Sequence, residues 1–133
     1  MRAPWASAAK QPEAETAPEC RVSVILDERA SQIADVLQDA LGAGFHVVAF
    51  PPADDVIAVL TAASPRLVDA HRQLHPTVGL VVTGVGAQPD AVAVTLDAGA
   101  DDCLRVTDPR ELAARLVALS RRRALTSLHH PYS

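Results

Sequence analysis

LDAGADDCLRVTDPRELAARLVALSRRR, residues 96–123, decides the reading of this chain. Gly99 follows an apolar-periodic run, where a helix ended by a left-handed residue needs glycine. Cys103, Leu104 and Val106 are apolar at the place of a buried strand. Asp108 is a good N-cap, Pro109 suits the first helical position, and Glu111 stands three residues after the cap. Leu112, Leu116 and Leu119 recur at helical spacing, and Arg121 to Arg123 place positive charge at the helix C-terminus, where the dipole favours it. The local grammar is α–β–α.

Working outward, Val22–Leu26 reads as a strand ending at Asp27-Glu28. Ser31 to Leu41 reads as a helix with Ile33, Val36, Leu37, Ala40 and Leu41 on one face, ended by Gly42 and Gly44. Phe45 to Phe50 is a second strand, stopped by Pro51-Pro52. Val78–Thr83 is a buried strand by length and β-branching, Gly84 and Gly86 form a loop, and a helix starts at Pro89 or Asp90. Apolar strands alternating with helices predict a parallel sheet covered on both faces.

The run Gly99-Ala100-Asp101-Asp102, Leu104, Asp108-Pro109-Arg110-Glu111-Leu112 and Ala114-Arg115 resembles the last third of a CheY-like response-regulator receiver domain, of the sort that precedes winged-helix DNA-binding domains. The resemblance spans roughly residues 21–123 and implies a flavodoxin-like α/β fold. It implies an acidic Mg²⁺ pocket at Asp27 and Glu28, a phosphate-switch position at Thr83, and signalling through the fourth helix, fifth strand and fifth helix. In related receivers that face forms a two-fold dimer through ion pairs. Asp97, Asp101 or Asp102, Glu111 and Arg115 occupy similar positions here.

Pro51 to Pro76 departs from the family, because it is too short for a second helix, a third strand, an active-site loop and a third helix. One reading makes Asp55–Leu60 the third strand, with Ser64-Pro65 capping a helix whose Leu67, Ala70, His71 and Leu74 share a face. It loses the second helix, and a parallel third strand asks for a crossover of about a dozen residues. The other reading makes Asp54–Ala63 the second helix and loses most of the third strand. Residue type favours the strand, with a displaced, antiparallel or missing element in between.

Phosphoryl transfer to an aspartate needs a nucleophile in line, Mg²⁺ on carboxylates, and positive charge on the phosphoryl oxygens. Asp27 and Glu28 supply carboxylates for weak Mg²⁺ binding at most. The strand reading puts Leu60 or Thr61 where the acceptor should stand, and Asp69 is a candidate only if Pro65–Asp69 is a shortened third strand. The only lysine, Lys10, lies in the leader, and Arg105 lacks the point charge of an ammonium. Cys103 takes the place of the family's aromatic switch. Acceptor, lysine and aromatic are lost together, which is the pattern of a pseudo-receiver and not of an enzyme. From another class, Thr83-Gly84-Val85-Gly86 hints at a phosphate loop of a small nucleotide-binding protein, although Pro89 stands where a third glycine would fall. His71 and His75 are spaced as a zinc pair would be, without an evident third ligand.

At 133 residues the chain is expected to be one domain: a leader at 1–19 with Trp5, a receiver-like unit at 20–124, and a flexible tail at 125–133 with His129-His130. Hydrophobic residues make up 49% but aromatics only 3%, so the core is built from Ala, Val, Leu and Ile. A net charge of −4 argues against non-specific binding to nucleic acid or an anionic membrane. Cys20 and Cys103 read as free thiols of a cytoplasmic protein. The expected partner is another protein, a histidine kinase or a second copy of the chain.

Overall fold

The strands predicted from alternating and continuous apolar runs all form, and they line up side by side. The computed structural model describes residues 21–48 and 53–128. In chain order the elements are β1 (Val22–Leu26), a 3₁₀ turn (Ala30–Ile33) leading into α1 (Ala34–Leu41), β2 (Phe45–Val47), β3 (Asp55–Thr61), α2 (Pro65–Leu74), β4 (Gly79–Thr83), α3 (Ala91–Asp97), β5 (Asp102–Cys103) and α4 (Pro109–Leu128). The sheet runs β2-β1-β3-β4-β5 with every neighbouring pair parallel. This is the flavodoxin-like doubly wound order.

Each strand sends alternate side chains to opposite faces. Val24, Ile57, Val59 and Val81 meet Leu37 of α1 and Leu112 and Leu116 of α4 on one face. Ala58, Leu80 and Val82 meet Val68 of α2 and Ala100 and Cys103 on the other. Each fully buried Leu or Val side chain stabilises the fold by roughly 1.5–3 kcal/mol relative to exposure.

The middle of the chain resolves in favour of the strand. Asp55–Thr61 is β3, parallel to β1, so Asp54–Ala63 is not a helix, and among the described residues no antiparallel element intervenes. The crossover is short because β2 is short. Its last residue, Val47, stands level with Val24, and β3 begins level with Val22. The chain therefore returns by two residues and shifts across one strand, a lateral step of roughly 10 Å. Residues 48–54 span up to roughly 23–25 Å, so no helix is required. One consequence is that the face of β1 opposite α1 carries no helix among the described residues, and Ile25 there is 39% exposed.

Two helices present different faces from those expected. In α1 the core takes Leu37, with Ile33, Ala34 and Leu41 packed beside it, while Val36 and Ala40 are exposed. The expected apolar stripe is wider than the face that meets the sheet: Ile33, Ala34, Leu37 and Leu41 fall on that face at helical spacing, and Val36 and Ala40 fall on its flank. In α2, Ser64 caps the helix as expected, its hydroxyl accepting from Leu67 N. Val68 is the buried residue, and Leu67 and Leu74 are exposed. Arg72 sets that rotation. Its Nε donates to Gly99 O at 3.0 Å and its Nη1 to Val78 O at 2.7 Å, drawing that side of α2 toward α3 and β5. Gly99 (φ +128°) has the left-handed conformation expected of it, and a Cβ there would meet Arg72 Cβ at 3.0 Å.

α4 continues through residues 125–128, which the sequence pattern places in the tail. Arg123 anchors its last turns: Nε donates to both oxygens of Asp55, at 2.9 and 2.8 Å, and Nη2 donates to Thr77 O. At the other end of the sheet order, the Gln38 side chain fastens β2 to α1. Its Nε2 donates to Phe45 O at 2.9 Å, and its Oε1 accepts from Val47 N at 2.8 Å. The leader with Trp5 and Lys10, Cys20, and His129-His130 lie outside the described residues. Among the described residues no helix is long and apolar enough to cross a membrane.

Candidate functional site

In a parallel sheet the loops leaving the carboxyl ends of the strands converge, and ligands bind there. Here those loops bring together Asp27 after β1, Thr61 and Ala62 at the end of β3, Thr83 and Gly84 at the end of β4, and Thr107 before α4. Of the two residues expected at the acceptor position, Leu60 turns into the apolar layer under α2. Thr61 faces the pocket, in register with Thr83.

Thr61 closes on Asp27. Its amide donates to Asp27 Oδ2 at 2.6 Å, and its hydroxyl donates to Oδ1 at 3.0 Å. Oδ1 also accepts from Ala30 N at 2.9 Å, which ties the start of the 3₁₀ turn. Both carboxylate oxygens thus accept N–H or O–H hydrogen bonds from within the chain. Glu28 is exposed, and Thr61 offers no third carboxylate. Mg²⁺ demands a near-octahedral oxygen shell, and the residues present do not fit it. Among the described residues no group of three or more His, Cys, Asp or Glu is placed to hold a metal ion.

Thr83 is fully buried, and its hydroxyl accepts from Thr107 Oγ1 at 2.9 Å. A second hydroxyl therefore stands where the resemblance calls for a phosphoryl oxygen beside Thr83. The next residue after β3, Ala62, sits at φ +53° and donates its amide to Thr83 O at 2.7 Å. Such a conformation costs a non-glycine residue about 1–2 kcal/mol, and this hydrogen bond helps hold it.

The Thr83–Gly86 loop is not built to hold phosphate. Val85 N donates to Leu104 O at 3.1 Å and Gly86 N to Arg105 O at 3.0 Å, so these amides are committed to the end of β5. Arg105 is not a lysine substitute either. Its Nη1 donates to Gly86 O at 2.9 Å and Gln88 O at 3.0 Å, on the β4–α3 loop. Asp69 stands on α2, because Pro65–Asp69 is helix and not strand. It is exposed and accepts from Gln73 Nε2 at 2.9 Å.

The expected interface charges pair largely within the chain. Arg115 reaches Asp102 at 3.6 Å and Glu111 at 3.5 Å. Asp101 accepts from Leu80 N at 2.8 Å and from Arg72 Nη2 at 2.9 Å, which makes it a structural tie between β4 and α2. Asp97 is exposed at the end of α3. Cys103, in the place of the aromatic switch, is buried. Burial first, then the neighbouring Asp102, raises its thiol pKa, so little thiolate forms at neutral pH.

The rings of His71 and His75 meet at a tilt of 52° with centroids 4.9 Å apart, and His71 Nδ1 is buried without a hydrogen-bond partner. Burial, then His75 and Arg72, hold the His71 pKa below its ordinary 6.5. As pH falls below that value the unfolded chain takes up the proton before the folded one does. Stability is expected to be full above pH 6.5 and to decline as pH drops from there through the lower folded value. Urea midpoints measured across that range check this. His71→Gln, which has no such titration, should flatten the decline, and an equally steep decline in the variant would assign it to another group.

Sequence reasoning missed the Thr61–Asp27 and Thr83–Thr107 contacts and the role of Arg72. A strand-end acid aligned with a strand-end threonine was a usable signal for the first. Nothing local signals Arg72, whose partners lie in the two loops that lead into β4 and β5.

No protein-family model matches the sequence, and no curated protein matches it. The fold is similar to solved structures of receiver domains. A CheY-like response regulator receiver domain protein from Methanospirillum hungatei JF-1 aligns with TM-score 0.57 at 15% identity, covering 81% of this chain and 99% of that one. A response regulator from Thermotoga maritima aligns with TM-score 0.58 at 17% identity, covering 74% and 96%. HP1043, an orphan response regulator of H. pylori, aligns with TM-score 0.57 at 17% identity, covering 76% and 98%. The chain has the receiver-domain fold.

Proposed function

We propose that this protein is a pseudo-receiver: a signalling module of two-component type that works by protein–protein contact without accepting a phosphoryl group, and that is not an enzyme. One observation carries the reading. The residue at the acceptor position, Thr61, is hydrogen-bonded through both its amide and its hydroxyl to the acid that should hold the metal. An aspartyl nucleophile is missing, the metal carboxylate is occupied, and Arg105 directs its charge away from the pocket. None of the three requirements of phosphoryl transfer is supplied by a residue in its place.

The contact surface is the α3–β5–α4 face, with Asp97, Asp102, Glu111 and Arg115 available to a partner such as a histidine kinase or a second copy. Arg115 is 47% exposed in its pairs with Asp102 and Glu111. The Arg115–Glu111 pair is exposed at both ends and worth about 0–1 kcal/mol, so a partner can exchange it at little cost, while Asp102 is more buried and also accepts from Cys103 N. Asp101 is less available, because Arg72 and Leu80 N hold it.

Incubation with acetyl phosphate and Mg²⁺, followed by intact mass measurement, tests the reading. The expected result is an unchanged mass. A phosphorylated species that Asp69→Ala or Thr61→Val abolishes would overturn it.

A further inference from the structure

The side of the molecule formed by α1 and α4 matches itself. At about 100° per residue, Asp35 and Asp39 project outward from α1, while Val36 and Ala40 turn toward α4. From α4, Arg110 and Arg121 project outward in the same way. Between the helices runs a groove of about 410 Å³ lined by Ala40, Ala113, Ala114, Val117, Ala118 and the two arginines. Val36, one turn before Ala40, is 56% exposed at its border. The face is therefore an acidic ridge, an apolar groove and a basic ridge, side by side. Among the described residues no salt bridge engages Asp35, Asp39, Arg110 or Arg121.

We infer that this face binds a second copy of the chain. α1 and α4 both run antiparallel to the strands, so they are roughly parallel to each other. A two-fold axis lying in the plane of the contact, parallel to the helices and centred on the groove, lays α1 of one copy along α4 of the other in the same direction. Each acidic ridge then meets the other copy's basic ridge, and the two grooves close on each other. Such a contact is isologous, and every attractive pair occurs twice. Small side chains along the groove let the helices approach closely. Arg110 and Arg121 lie roughly 16 Å apart along α4, which brackets the Asp35–Asp39 turn. The surface is distinct from the α3–β5–α4 face, since Glu111 and Arg115 lie on the opposite flank of α4, so a dimer formed this way leaves that face open.

The experiment is sedimentation of the full chain and of two double charge reversals, Asp35→Arg/Asp39→Arg and Arg110→Asp/Arg121→Asp, with circular dichroism to show that each is folded. The parent is expected to dimerise at about 100 µM, with its Kd rising at least about tenfold between about 0.05 and about 0.5 M salt. Each variant alone is expected to be monomeric, and an equimolar mixture of the two is expected to form a heterodimer. A parent that stays monomeric at low salt overturns the inference. So do variants that dimerise like the parent, or folded variants whose mixture stays monomeric. Should a double reversal not fold, the single changes Asp39→Arg and Arg121→Asp provide the same complementary pair.

Discussion

Arg72→Ala is expected to lower the unfolding free energy by about 3 kcal/mol, a large part of the stability of a domain this size. The guanidinium donates to Gly99 O at 3.0 Å, Val78 O at 2.7 Å, Pro76 O at 3.2 Å and Asp101 Oδ2 at 2.9 Å. One side chain thus fastens the end of α2, the entry to β4, the glycine turn after α3 and the entry to β5. Hydrogen bonds from a charged group are worth roughly 1.5–3 kcal/mol each, but these share one cation and are not additive. The side chain is also 23% exposed, so water replaces part of what is lost. Arg72→Lys keeps the charge but loses the planar fork, and should cost about 2 kcal/mol. Urea unfolding at constant m-value checks both. A loss below about 1 kcal/mol for Arg72→Ala would mean that these carbonyls find other donors.

Thr61→Asp is expected to destabilise the chain by about 2–4 kcal/mol without metal and to make its melting temperature depend on Mg²⁺. The substitution removes the hydroxyl donor 3.0 Å from Asp27 Oδ1 and sets a second carboxylate against the first. Like charges at that distance, partly shielded from water, are costly. A divalent cation relieves the repulsion, and a ligand that binds only the folded state stabilises it in proportion to the logarithm of its concentration. At about 10 mM Mg²⁺ the variant should recover part of its loss, while the parent, whose carboxylate is already bonded, should not move. Thermal melts with and without Mg²⁺ decide the matter. A parent that gains stability with Mg²⁺, or a variant that neither loses stability nor responds, would show that Thr61 does not close the pocket.

The last third of the chain was legible because its signals are local. Gly99 has its left-handed φ, and Asp108 and Pro109 start a helix whose Leu112, Leu116 and Leu119 are buried. β3 was legible from Val56, Ile57, Val59 and Leu60 alone. Its connection was not, because the crossover rule assumes strands of ordinary length and β2 has only three residues. The faces of α1 and α2 were misread for two further reasons. In α1 the apolar stripe is wider than the buried face, so Val36 and Ala40 fit the pattern yet lie outside the core, and Arg72 is an arginine whose hydrogen-bond partners are mostly backbone carbonyls, which no sequence pattern shows. In the site, residue identity told that the acceptor was missing. That Thr61 hydrogen-bonds Asp27 across two strands is a tertiary contact, which residue identity alone does not encode.

The Gln38 amide bears on how this protein can assemble. Its carbonyl and N–H meet Val47 N and Phe45 O on the outer side of β2, so a side chain imitates the peptide group of one more strand. A bare edge would offer those groups to any extended peptide and invite growth of the sheet from one molecule to the next. With them taken, an incoming strand would first have to displace Gln38, leaving its amide to find new partners near α1. Recruitment by strand addition is therefore disfavoured at β2, and a partner that approaches this side of the sheet meets side chains, whose charge sets both its identity and the response to salt.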